Sequence, residues 1–371
     1  MAEKNEDKYK QFSNKLLDWY DIRRRILPWR AAPGEISNPY FVLLSEIMLQ
    51  QTVVVTVIPY FFRFVKKWPT INQLAKADFN EIASLWAGLG YYRRAKNLHE
   101  TAKQILKYHN GIIPNNKKIL LSFPGIGEYT SSAIIAIAFG GRANVVDGNI
   151  ERIFSRLFKI ETPLKDSKHQ IFDYSEKYLP LERYGDYAQA LMDLGSLICI
   201  PKNPRCSKCP IIDFCEVGGD LSAKEYPKKG VKIKKPERFG LFYCLLNKNG
   251  DVLVTTNKDK GLLANMDVIP SVGWYEAENR FVEKPKFIDV KDSLFNFEWQ
   301  IIDSEIVHTF THFKLNVSIA TSSIKKDLFL ENSSFAKNYK FVKAKKLKDL
   351  ALPSIMKKII KQLEHDNIIK C

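Results

Sequence analysis

The chain has 371 residues, 45% of them apolar, and a formal charge of +16. Its length accommodates two domains with real cores. The excess of Lys and Arg suits a polyanionic partner, because each phosphate they contact releases condensed counterions. No apolar run approaches the roughly 20 residues of a membrane-spanning helix; the longest candidate is Ala133 to Phe139. The polar opening MAEKNEDKYK has neither the apolar core nor the cleavage site of a signal peptide. A cytoplasmic, chromosome-associated protein without a membrane is expected.

Residues 8 to about 197 read as helix after helix. Phe12, Leu16, Leu17, Trp19 and Tyr20 form a helical apolar face that stops at Pro28. Asn38-Pro39 is an N-cap followed by proline at the first helical position. The apolar stretch Tyr40–Val55 predicts a buried helix that carries Glu46. Asp78 with Glu81 predicts a capping box. Helical patterning continues over Tyr92–Tyr108, Glu128–Phe139, Ile150–Lys159 and Leu181–Leu197, with no strand-like alternation.

Between two of these helices, Leu121-Ser122-Phe123-Pro124-Gly125-Ile126-Gly127 predicts a tight turn. Its outward N–H groups, with the N-terminus of the helix that follows, suit a phosphate. Four of the six cysteines then crowd into Cys199-x6-Cys206-x2-Cys209-x5-Cys215. In a reducing compartment that argues for a metal centre over disulfides. Zinc would take the four sulfurs tetrahedrally and an iron–sulfur cube would take them as well; spacing alone leaves both open. Lys202, Arg205 and Lys208 in the same loop suit phosphate contact, with the metal as a staple.

A stretch from Lys224 to Arg238 carries seven basic residues against two acidic ones and reads as an exposed linker. Beyond it, Phe239–Leu246 and Val252–Thr256 are strand patterns joined by the hairpin signal Asn247-Lys248-Asn249-Gly250. Leu315–Ala320 and Tyr339–Val342 are further strand patterns, and Pro353–Leu363 closes as a helix. The expected domains are 8–223, a basic linker 224–238, and an α+β domain 239–366.

Pro124-Gly125-Ile126-Gly127, Val146-Asp147-Gly148-Asn149 and the cysteine loop together resemble the endonuclease-III-type helix-hairpin-helix glycosylases. Pro28-Trp29-Arg30, Ser45-Glu46-Ile47-Met48-Leu49-Gln50-Gln51-Thr52 and Gly88-Leu89-Gly90-Tyr91-Tyr92 resemble, more narrowly, the adenine DNA glycosylase (MutY) family. The resemblance runs from about residue 12 to 216. It implies an all-α helix-hairpin-helix glycosylase domain with one 4Fe–4S cluster on Cys199, Cys206, Cys209 and Cys215. A looser match, at Gly261–Met266 and His308-Thr309-Phe310-Thr311-His312-Phe313, implies a smaller Nudix-like α+β domain that reads 8-oxoguanine through Phe310, Thr311 and His312. No Glu-rich hydrolytic box is present. The family usually has an aromatic residue near Asp267, and usually Ser where Thr311 stands; the Asp267 change is unexplained by the sequence.

The implied reaction removes adenine paired with 8-oxoguanine or guanine from double-stranded DNA, by a monomer that flips the base out of the stack. It needs an acid for the base and an anion for the sugar cation, the two-carboxylate logic of glycoside hydrolysis. The resemblance gives the acid to Glu46, the anion to Asp147, and its positioning to Asn149. Tyr129 stands where strand-nicking relatives carry a Schiff-base lysine, so base removal without efficient strand cleavage is implied. Gln51 and Tyr91 or Tyr92 resemble residues that wedge into the duplex. Trp29, Arg30 and Gln189 resemble groups that line the adenine pocket, and Gly125 and Gly127 are the DNA-contacting glycines. A pyrimidine glycosylase is disfavoured by the motif around Glu46 and by the extra domain. A non-catalytic DNA-binding or redox iron–sulfur protein is disfavoured by the two carboxylates.

Overall fold

The computed structural model describes residues 2–230, 234–257, 262–263, 266–276, 297–302, 306–324, 339–350 and 352–370. The chain divides into two units, Met1–Lys232 and Ile233–Cys371. Among the described residues no helix is long and apolar enough to cross a membrane.

The first unit is helical. Helix α1 (Ala2–Arg23) packs with α9 (Gly148–Leu157) and α11 (Tyr184–Leu197) around one apolar cluster. Ile150, Ile153, Phe154 and Leu157 of α9 repeat at helical spacing and are buried, as are Phe12, Leu16 and Tyr20 of α1. Each such side chain contributes roughly 1.5–3 kcal/mol by leaving water. This cluster fixes where α9 begins, and Asp147 is its N-cap.

A second cluster gathers α2 (Pro39–Leu49), α3 (Val54–Lys67), α4 (Ile71–Lys76), α5 (Phe79–Trp86), α6 (Arg93–His109), α7 (Lys117–Ser122) and α8 (Glu128–Ala133). Asn38 caps α2 through bonds from the N–H groups of Tyr40 and Phe41, with Pro39 at the first helical position. The remaining α-helix among the described residues of this unit is α10 (Leu164–Lys177).

Three sequence expectations are corrected here. The helix read over Tyr40–Val55 stops at Leu49, and α3 starts afresh at Val54. Gln51 lies between them at φ 59°, a left-handed conformation that no α-helix continues through. The capping box lies at Thr70 and Gln73 instead of Asp78 and Glu81. Asp78 caps α5 through the N–H of Asn80 without a reciprocal bond, and Glu81 pairs with Lys67 at 3.3 Å instead. Finally, the helix from Glu128 becomes a π-helical turn over Ile134–Ala138. Gly185 of α11 packs against that turn. A Cβ on it would stand 2.6 Å from the Ala136 carbonyl oxygen, so only glycine permits the approach.

The second unit is a mixed sheet backed by α12 (Ser354–His365). Its strands are β1 (Glu237–Leu246), β2 (Val252–Thr256), β3 (Asp267–Val268), β4 (Ser271–Glu276), β5 (Gln300–Ile302), β6 (Val307–Thr309), β7 (Lys314–Ser323) and β8 (Tyr339–Val342). The order is β3-β2-β1-β7-β5, with β4 on β1, β6 on β7 and β8 on β2. β1 and β7 run parallel from Glu237↔Lys314 to Leu246↔Ser323. The predicted hairpin joins β1 to β2 with Gly250 at φ 76°. Ile355, Met356, Ile359 and Leu363 of α12 fill the core beneath Phe242, Leu315 and Val317.

The segment read as an exposed linker is partly built in. Tyr226 is buried, the Leu164 N–H donates to the Lys228 carbonyl, and β1 already begins at Glu237.

Candidate active site

Helices α2, α8, α9 and α11 wall a cavity of about 720 Å³ in the first unit. Trp29, Arg30, Glu46, Gln51, Tyr129, Asp147, Asn149 and Gln189 all line it, brought together from five separate stretches of sequence. Val42, Ile137 and Met192 add apolar wall. Tyr91 and Tyr92 are not in the lining. Tyr91 is exposed at φ 47° and Tyr92 is half-buried.

Glu46 comes from the apolar interior of α2 and is 6% exposed. Burial pushes its carboxyl up to about 7; the nearby charge of Asp147 pushes the same way, while the Tyr129 hydroxyl bond and Arg30 oppose it. Near neutrality the group therefore exists in both protonation states. Burial, then the Glu46 and Asp147 charges, hold the Tyr129 hydroxyl well above its ordinary value, so it remains a neutral donor.

Asp147 is oriented by the start of α9. Its Oδ1 accepts from the N–H groups of Asn149 at 2.9 Å and Ile150 at 2.8 Å. Its Oδ2 accepts from Asn149 Nδ2 at 2.8 Å. Asn149 Oδ1 in turn accepts from Arg152 Nη2 at 2.9 Å. Arg152 also donates to the carbonyls of Gly195 at 2.7 Å and Cys199 at 2.8 Å. Gly195 admits this: a Cβ there would lie 2.5 Å from that of Asn149. A bonded chain thus runs from the cavity to the cysteine loop, where Arg156 Nη1 donates to Cys199 Sγ at 3.2 Å.

The predicted hairpin joins α7 to α8. Gly125 has φ +82°, and a Cβ there would stand 2.9 Å from the Asn97 Cβ, so the turn needs glycine on both counts. Gly127 is the exposed N-cap of α8, where a Cβ would meet nothing within 4 Å. In the second unit, Phe310 to Phe313 form a turn closed by the Phe310 N–H on the Phe313 carbonyl at 2.8 Å. Phe310 is half-buried among Trp274, Phe313 and His308, with Lys235 donating to its carbonyl at 2.7 Å. Thr311 and His312 are exposed at the tip. Asp267, unexplained by sequence, is an anchor of β3: it accepts from Thr256 Oγ1 at 2.9 Å and pairs with Lys340 at 3.2 Å. Gly261, Ala264 and Asn265 of the second resemblance lie outside the described residues.

Residues 44–180 match the model of the HhH-GPD superfamily base excision DNA repair proteins, and residues 242–362 match the NUDIX domain model. The adenine DNA glycosylase of Buchnera aphidicola (subsp. Schizaphis graminum) is 31% identical over 94% of this chain and 97% of its own length. The chain belongs to the adenine DNA glycosylase family. The Arabidopsis thaliana and human adenine DNA glycosylases are each 32% identical, over 93% and 83% of this chain. This chain spans only 63% and 66% of their lengths. The solved structure of a thermostable thymine-DNA glycosylase superposes with a TM-score of 0.51 at 31% identity, covering 57% of this chain and 96% of that one. The HhH-GPD match falls in the helical unit and the NUDIX match in the mixed-sheet unit.

Within that architecture, sequence reading missed Asp193. It is wholly buried beneath the cavity and takes Arg30 in a fork at 2.7 and 2.9 Å, with Arg25 Nε at 2.5 Å. Arg30 reads in sequence only as a pocket residue; its burial, which demands an acid, emerges with the fold, where Asp193 lies one helical turn beyond Gln189. With its fork so engaged, Arg30 contributes field and wall to the cavity more than free donors.

Cys199, Cys206, Cys209 and Cys215 are half-buried free thiols. Burial, with a contribution from the neighbouring cysteines, pushes Cys209 up to about 12 and Cys215 to about 11. The four thiols lie within electrostatic reach of one another, and Arg156 donates to Cys199 Sγ. Four cysteine sulfurs in one loop, with a cation to offset thiolate charge, are a donor set that fits an iron–sulfur cluster. Lys202, Arg205 and Lys208 of this loop are exposed.

Proposed function

We propose that this protein is a monofunctional DNA glycosylase that hydrolyses the N-glycosidic bond of adenine mispaired with 8-oxoguanine or guanine. The observation that carries the reading is one cavity holding two carboxyl groups in contrasting settings. Glu46 is buried with its carboxyl raised to about 7, and Asp147 is fixed by three N–H donors. Flipped into the cavity, adenine receives a proton from Glu46 at N7, which makes it a leaving group. Asp147 stands as the anion that stabilises the sugar cation, and Asn149 sets its angle. Tyr129 orients the Glu46 carboxyl through its hydroxyl and offers no amine, so the sugar forms no Schiff base and the strand stays intact.

Gln51 and Tyr91 fill the gap left in the duplex while Trp29, Arg30 and Gln189 bound the base; half-buried Tyr92 packs against the apolar cluster of α2–α8. The N–H groups at Gly125 and Gly127 take a backbone phosphate. Cys199, Cys206, Cys209 and Cys215 would hold one 4Fe–4S cluster, a staple that positions the basic loop for the backbone. Thr311 and His312 read 8-oxoguanine from a turn anchored by Phe310. The protein acts as a monomer on double-stranded chromosomal DNA.

The test is single-turnover release of free base from duplexes carrying adenine opposite 8-oxoguanine, adenine opposite guanine, and thymine opposite guanine. Adenine release from the first two with intact strands is expected. Thymine release alone would replace this reading with the specificity that the thymine-DNA glycosylase's name describes.

A further inference from the structure

Arg94 is buried, 7% exposed, in the first turn of α6. A cation there is opposed by the helix dipole and pays a desolvation cost, and an apolar side chain would fill the space more cheaply. What arginine adds is a planar fork of donors. Nη1 donates to the carbonyls of Ile47 at 3.2 Å and Met48 at 2.7 Å, and to that of Gln50. Nη2 donates to Thr52 Oγ1 at 3.0 Å and to the carbonyls of Leu89 at 3.0 Å and Gly90 at 3.2 Å. One guanidinium therefore joins the break after α2 to the loop before α6.

Those two loops carry Gln51 at φ 59° and Tyr91 at φ 47°, left-handed conformations that side chains adopt only where the surroundings over-determine them. The Arg94 guanidinium also lies 5.6 Å from the Tyr91 ring centre. The same face of α6 holds the hairpin. Thr101 Oγ1 donates to the Pro124 carbonyl at 3.0 Å, and Gln50 Nε2 donates to the Gly125 carbonyl at 3.1 Å.

We propose that Arg94 is a positioning residue that fixes the separation of Gln51 and Tyr91, so that both enter the duplex together while the hairpin grips the backbone. This rests on the base-flipping reading above. It makes α6 the jig on which three DNA-facing segments are aligned, with Arg94 serving the flipping step and not the bond cleavage.

Arg94→Lys keeps the charge and loses the fork. The probe is a duplex with 2-aminopurine at the target position opposite 8-oxoguanine, whose emission rises as the base leaves the stack. The variant should show a diminished emission rise and at least about tenfold slower adenine release from the paired substrate, a misplacement effect. On a duplex lacking the opposite base, where little wedging is needed, its release should stay within about threefold of wild type. Equal losses on both substrates would make Arg94 a folding residue and overturn the proposal, as would no loss on either. Should the lysine variant not fold, Gly90→Ala decides. Its Cβ meets nothing within 4 Å, but its φ of +71° resists a side chain, so it disturbs the same loop and must show the same split. Wild-type protein that releases adenine from no duplex overturns the base-removal reading, and this one with it. Normal wild-type release without the split in the variants overturns the role of Arg94 alone.

Discussion

The cavity of the first unit and the Phe310–Phe313 turn of the second assemble similar polar chemistry in opposite ways. In the cavity the two carboxyl groups and Arg30 each have a partner. Glu46 bonds with Tyr129, Asp147 takes three N–H donors, and Arg30 is locked to wholly buried Asp193. In the turn Phe310 and Phe313 are anchored, and Thr311 and His312 face solvent. A group that must change its protonation state gains from burial, because burial moves its proton affinity towards neutrality. A group that reads a base edge needs an open hydrogen-bonding face and a rigid support. On the proposed function this contrast separates chemistry from recognition, and variants in each region should fail differently.

The largest effect should come from Asp147→Asn. The N-cap bonds to Asn149 and Ile150 can persist, but the anion is lost, so single-turnover release should fall by about 10³-fold or more while duplex affinity stays within about threefold. Release at near wild-type rate would remove Asp147 from the reaction. Glu46→Gln should cost about 10²–10⁴-fold, the usual range for a general acid. With Glu46 raised to about 7, wild-type release should decline as pH rises above that value and the acid deprotonates. The glutamine variant should lack this limb.

The same variant probes stability. Glu46 binds its proton more tightly folded than unfolded, so its contribution is full below about 4.5 and is lost as pH rises through about 7. Glu46→Gln should therefore flatten stability over this window, by at most about 3 kcal/mol, measured as denaturation midpoints at pH 4.5 and 8.5. Parallel curves for the two proteins would show that Glu46 titrates normally.

What was legible in the sequence follows from which physics is local. Asp147 reads in sequence either as a helix cap or as a candidate anion, and in the structure it caps α9 while lining the cavity, so these roles are compatible. Asn38-Pro39 and the Asn247–Gly250 hairpin were legible because caps and turns are short-range. The break at Gln51 was not, because apolar patterning runs on through Val53, Val54 and Val55 while the group bonded to the broken turn, Arg94, lies some forty residues away. The π turn at Ile134–Ala138 changes hydrogen-bond register without changing composition. Asp193 became visible only once Arg30 was seen to be enclosed.

The smallest expected effect belongs to the recognition turn, and it tests the contrast most directly. 8-Oxoguanine differs from guanine by O8 and by an N7–H donor, so groups bonded to those atoms are left unpaired by guanine. His312 and Thr311 present exposed polar atoms at the tip of a turn whose other corner, Phe310, stacks 5.7 Å from Trp274 and 4.8 Å from Phe313. Removing a reader differs from removing its support. His312→Ala should lower the preference for adenine opposite 8-oxoguanine over adenine opposite guanine by about tenfold, the worth of one good hydrogen bond. Phe310→Ala releases the turn from its aromatic anchor and should lower the same ratio by a similar factor, with a lower melting temperature as well. Neither change touches the first unit's carboxyl groups, so release from adenine opposite guanine should remain within about threefold of wild type. A loss of equal size on both substrates would mean that the turn supports catalysis generally. An unchanged ratio in both variants would place the reading of 8-oxoguanine elsewhere in the molecule.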